Sequence, residues 1–116
     1  MSERRRQQRV AEEIKRRAST FIRDELKDPR LGFITVTDVE VNSDLTLATI
    51  YVSVMGTPEE KEQSMEALQS AKGVVKRDIG DWLRMRTVPD VRFKLDNSLE
   101  RGAHIMELIH TLEEER

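Results

Sequence analysis

The residues best suited to chemistry lie between Ser70 and Arg86, in the run SAKGVVKRDIGDWLRMR. Projected at the helical angle after an Ala71-Lys72-Gly73 break, Val75, Ile79, Trp82 and Leu83 share one apolar sector. Gly73, Lys76, Arg77, Gly80 and Arg84 share the opposite side, with Lys72 and Arg86 at the two ends. Lysine and arginine offer charge and hydrogen-bond donors to phosphates, and glycines among them remove side-chain bulk. A polyanion backbone could then come close, so the pattern points to nucleic acid. Glycine inside a helix costs about 0.5–1 kcal/mol relative to alanine. Gly80 therefore needs a reason, either close approach of a ligand or tight packing against another element.

Other chemistries find little support. Without cysteine there is no disulfide, no thiol nucleophile and no thiolate metal site. His104 and His110 are six apart, on different sides of a helix, and match no zinc-binding spacing. Asp78 and Asp81 stand three apart beside cations, which suits local salt bridges better than acid–base work. No phosphate-binding Gly-x-x-x-x-Gly-Lys loop is present. The expectation is a protein that is not an enzyme, with no cofactor, metal or small-molecule substrate. The five aromatics, Phe21, Phe33, Tyr51, Trp82 and Phe93, mostly fall in apolar patterns. Recognition is thus expected to rest on backbone, charge and shape rather than on stacked bases. No apolar run approaches the ~20 residues that span a bilayer. No apolar segment follows the N-terminal arginines as a secretory signal requires. A cytoplasmic protein without a membrane partner is expected.

The net charge of −2 conceals segregation. Residues 1–30 and residues 72–94 are each net +4, and the remainder is net −10. A basic surface on an acidic body favours one oriented contact with a polyanion. The first basic block reads as a helix from Arg5 to Lys27, with Val10, Ile14, Ala18, Phe21 and Ile22 on its apolar side. Arg9, Arg16, Arg23 and Lys27 line the other side, preceded by the cluster Arg4-Arg5-Arg6. Such a row could be an ordinary solvated face. The additional arginine cluster exceeds any packing need and favours an electrostatic role.

These elements must be positioned by the rest of the chain. Asp28-Pro29 ends the first helix, because proline disfavours helical geometry in the residue before it. Ile34 and Val36 alternate with threonines, and Val39 and Val41 continue in the opposite phase, which predicts a β-bulge near Thr37-Asp38 or burial of both faces. Asn42-Ser43-Asp44 turns the chain into a second strand, Leu45 to Met55, with Ala48, Ile50, Val52 and Val54 on one face. Thr57-Pro58-Glu59-Glu60 carries three helix-start signals at once. Val91, Phe93 and Leu95 form a third strand. Asn97 and Glu100 start a last helix with Ile105, Leu108, Ile109 and Leu112 on its apolar side. The order α-β-β-α-α-β-α gives an α+β, two-layer domain over residues 1–116, with a basic end (1–8) and an acidic end (113–116) expected to fray.

In that order the chain resembles the ribosome-binding factor A family, bacterial small-subunit assembly proteins with a KH-like fold. The resemblance is carried by Gln8-Arg9-Val10-Ala11, Lys27-Asp28-Pro29-Arg30-Leu31-Gly32, Ser43-Asp44-Leu45 and Ala71-Lys72-Gly73. Leu83-Arg84-Met85-Arg86-Thr87-Val88-Pro89 and Asp96-Asn97-Ser98-Leu99 complete it. It implies a type II KH-like domain with a three-stranded sheet and an interhelical Ala-x-Gly kink where other KH domains carry Gly-x-x-Gly. Four-nucleotide recognition by that loop is therefore not implied. What the resemblance does imply is a monomer that binds immature 30S subunits through 16S rRNA and neighbouring ribosomal proteins. It also implies promotion of 16S 5′-end processing and a link with cold adaptation. The competing expectation is a helix-mediated protein adaptor whose cations only solubilise it. Salt dependence separates the two, because phosphate contacts weaken steeply as salt rises.

Overall fold

Alternating valine and isoleucine build the centre of the structure, a computed structural model that describes residues 3–97. Strand β1 (Phe33–Val41) pairs antiparallel with β2 (Leu47–Met55), running from Phe33 opposite Met55 to Val41 opposite Ala48. The register slips between Val36 and Asp38, which leaves Thr37 as the extra residue of a bulge. The two valine phases of β1 thereby reach the same face, and Val36, Val39 and Val41 are all buried. Thr37 is fixed by its hydroxyl, which donates to the Asp96 carboxylate at 2.6 Å.

The turn between these strands is longer than expected. Asn42 Oδ1 accepts from the backbone N–H groups of Thr46 and Leu47, and Leu45 takes a left-handed φ of 60°. Leu45 therefore belongs to the turn, and β2 starts at Leu47. Thr46 donates its hydroxyl to Asp44, which holds that carboxyl below its usual pKa.

Strand β3 (Asp90–Leu95) adds to β2 in parallel, giving the order β1-β2-β3. A parallel neighbour needs a crossover, and α2 (Pro58–Ser70) and α3 (Lys72–Leu83) supply it. The Thr57 hydroxyl accepts from the Glu60 N–H while Glu60 reaches back to the Thr57 N–H, so the expected capping box forms. Ala71 alone separates the two helices and is buried. Buried Ser64 ties α2 to the chain entering β1 by accepting from the Gly32 N–H at 3.0 Å.

Helix α1 (Glu3–Asp24) crosses the same sheet face as the other helices and starts two residues earlier and ends three earlier than expected. Ile14, Ala18, Phe21 and Ile22 meet Leu68, Val75 and Ile79 over the inward valines and isoleucines of the sheet. The opposite sheet face carries exposed Thr35, Glu40, Arg92 and Lys94. The expected C-terminal helix, with Ile105, Leu108, Ile109, Leu112 and both histidines, lies outside the described residues. Among the described residues no helix is long and apolar enough to cross a membrane.

Candidate nucleic-acid interface

The side of α1 that turns away from the sheet presents a row of arginines. Arg4, Arg5, Arg6, Arg9, Arg16 and Arg23 are all exposed. Arg23 forms an ion pair with the adjacent Asp24, whose carboxyl is held below its usual pKa chiefly by that hydrogen bond. Arg9 and Arg16 have no hydrogen-bond or ion-pair partner for their side chains among the described residues, which leaves both guanidinium groups available to a ligand. At the start of the row, Arg4 borders a shallow groove beside Val39, Glu40 and Val41.

The stripe expected on α3 does not survive as one surface. Lys72, Gly73 and Arg77 are exposed, and nothing lies within 4 Å of a Cβ built on Gly73, so the chain there is open to close approach. Lys76 instead turns toward β3 and donates to Asp90 at 2.7 Å. That contact is the main reason the Asp90 carboxyl sits below its usual range. Gly80 corrects the expectation of a close-approach glycine. A Cβ there would meet Val88 Cγ2 at 2.6 Å, so the absent side chain makes room for the loop after α3 and not for a ligand.

Arg84 is a second correction. The helix ends at Leu83, and Arg84 follows in the left-handed conformation with φ 51° and ψ 40°. This reverses the chain and carries Arg84 off the helical projection. With Arg86 it joins Arg6 in a groove between the first turns of α1 and the end of α3, where Glu13 and Asp44 are the acids. Arg6 is thus brought together with Arg84 and Arg86, remote from it in sequence, at a place the projection does not indicate.

Trp82 is the third correction. Expected in the buried sector with Val75 and Ile79, it is 63% exposed, whereas those two are buried. Its position flanks the core-facing side of α3 and looks toward α1. There the Arg17 guanidinium lies over the indole at 4.7 Å from the ring centre. Arg17 is no candidate on sequence grounds, yet it is the most engaged cation of the region. Its Nε and Nη2 donate to the two carboxylate oxygens of Asp78 at 2.6 Å each, and Nη2 also reaches Glu25 at 3.0 Å. Asp78 therefore pairs across helices, not with the cations beside it in sequence. The available signal is positional: Arg17 follows Ile14 by three residues and precedes Phe21 by four, at the border of the apolar side. Phe33 is a further exposed aromatic, at 81%, and faces exposed Met55 across the hairpin end.

Comparison with known proteins gives a consistent result. The family model for ribosome-binding factor A matches residues 6–109. Ribosome-binding factor A of Acetivibrio thermocellus is 52% identical over 104 residues, covering 89% of this chain and 85% of the relative. The crystal structure of ribosome-binding factor A from Thermus thermophilus superposes with a TM-score of 0.68 at 26% identity, over 77% of this chain and 94% of that one. A homology model of the Thermus thermophilus factor, fitted into a cryo-electron microscopy map of its complex with the 30S subunit, matches at a TM-score of 0.64 and 26% identity. That match covers 75% of this chain and 91% of the other.

Proposed function

This chain belongs to the ribosome-binding factor A family, and on that premise we propose that it is a non-catalytic assembly factor for the small ribosomal subunit. In this reading it binds immature 30S subunits as a monomer in the cytoplasm, through 16S rRNA and neighbouring ribosomal proteins. It promotes their late maturation and the processing of the 16S 5′ end by acting on the conformation of the RNA. The phosphate contacts come from two places: the α1 row of Arg9 and Arg16, extended by Arg4, Arg5, Arg6 and Arg23, and the seam where Arg6 meets Arg84 and Arg86. Lys72 and Arg77 add charge beside open Gly73.

The observation that carries the reading is the α1 row itself. Its long cationic side chains project from a chain of net charge −2, on a helix that carries eight Lys/Arg against four Asp/Glu. Guanidinium groups suit phosphate oxygens because their planar donors can engage two at once. The Thermus relative, fitted as a complex with the 30S subunit, supports the choice of RNA-bearing partner. The test is sedimentation of the purified full chain with ribosomal particles. It should pellet with free small subunits and not with translating ribosomes. Equal association with both, or with neither, contradicts the proposal.

A second reading, a protein adaptor, draws on Phe33 and Met55, which form an exposed apolar pair. It requires an affinity that salt barely changes, the opposite of the first.

A further inference from the structure

We propose that Trp82, backed by Arg17, is a stacking seat for one unpaired base of the bound RNA. This rests on the RNA-binding reading above and adds a recognition element that charge alone does not supply. A seat for a base needs a flat ring held in a fixed plane, one face supported and another open, with cations near enough to hold the attached phosphates. Trp82 has these features. Its side chain stands mostly in solvent, at 63% exposure, and one face of the indole is covered by the Arg17 guanidinium at 4.7 Å.

Arg17 is itself immobilised. Its two hydrogen bonds to Asp78 and the third to Glu25 fix the guanidinium plane, so the ring rests on a support joined to both helices. The same bonds neutralise Asp78, a carboxylate that would otherwise repel a phosphate next to the ring. Arg84 follows Trp82 by two residues and leads into the groove shared with Arg6 and Arg86. Leu83, the residue after Trp82, lines that groove, and in the proposed seat a strand whose phosphates follow it places one base on the indole. An exposed indole on a supporting cation also has a sequence-tolerant preference, since every base presents a π-face. Stacking thereby complements the shape and charge contacts of the α1 row.

Trp82 is the one tryptophan of the chain, so it reports on its own occupancy. The experiment titrates the full chain with a short oligouridylate and with an abasic ribose-phosphate oligomer of equal length, following indole emission. Small-subunit sedimentation is measured in parallel. The oligouridylate should quench the emission and the abasic oligomer should not. Trp82→Ala should weaken small-subunit binding about tenfold, and Trp82→Phe should restore most of it. Equal quenching by both oligomers overturns the seat, as does wild-type affinity for small subunits in Trp82→Ala. If either occurs while subunit binding stays steeply salt-dependent, the stack fails and the charged interface stands. If the unaltered chain binds neither oligomer nor small subunit, both proposals fall.

Discussion

Helix α1 carries eight Lys/Arg and helix α3 three, and the two helices use them differently. Helix α1 is held on one side, against the sheet and α3, and its outer arginines project into solvent. Helix α3 is held by α1 through Arg17 and Asp78, by β3 through Lys76 and Asp90, and by the following loop through Val88. A helix gripped on one side keeps its remaining surface for a ligand. A helix gripped on three sides commits charged and small residues to packing, and of its three cations only Lys72 and Arg77 stay exposed. The difference assigns the main electrostatic contact to α1 and to the groove where α3 ends.

The two glycines of α3 break or sharpen this contrast most strongly. Gly80→Leu would drive a branched side chain into Val88 and should cost about 3 kcal/mol, lowering the thermal midpoint by more than about 10 °C. Gly80→Ala gains helix propensity but meets the stiff valine at a distance no Cβ tolerates, so a net loss of about 1 kcal/mol is expected. Gly73→Ala meets nothing and should stabilise by about 0.5–1 kcal/mol. Calorimetric melts of the three variants suffice. A higher midpoint for Gly80→Ala would mean that the loop yields and that Val88 does not close this part of α3 to a ligand.

The smallest effect concerns the pair that draws Lys76 from the candidate surface. The Asp90 carboxyl is below its ordinary pKa because Lys76 donates to it. Its stabilising contribution is therefore present above the unfolded-state value, about 3.9, and is lost as pH falls through the lower folded-state value. Asp90→Asn should lower stability at neutral pH only slightly, because the pair is largely exposed, and by the same small amount that the unaltered protein loses through this pair on acidification. It should also flatten the acid side of a midpoint-against-pH profile. An unchanged acid side would show that Lys76 is free to serve the ligand.

Much of this is legible in local patterns. The bulge can be read from the phase switch of Val36 and Val39, the capping box from Thr57 and Glu60, and the exposure of Arg9 and Arg16 from their placement opposite Ile14 and Ala18. Each depends on neighbours a few residues away. What cannot be read depends on distant partners. Helical projection assigns Gly80 to the same side as Arg77, but nothing in it says that Val88 folds back over that position. It groups Trp82 with Ile79, yet the indole sits at the margin of the apolar sector, where Arg17, 65 residues earlier in the chain, takes the place of core. Projection misplaces Arg84 because it assumes a continuing helix, and a left-handed residue ends it.

The central claim, that α1 supplies the phosphate contacts, is tested most directly by the salt dependence of small-subunit binding. The dissociation constant of the unaltered chain is compared across a salt series with that of Arg9→Glu/Arg16→Glu/Arg23→Glu. Each lost phosphate contact removes roughly 0.7–0.9 from the slope of log affinity against log salt. The variant should therefore bind more weakly, with a slope lower by about two to three, and should melt at the same temperature as the unaltered protein. An unchanged slope at unchanged stability would contradict the claim: the α1 row would be ordinary solvated surface.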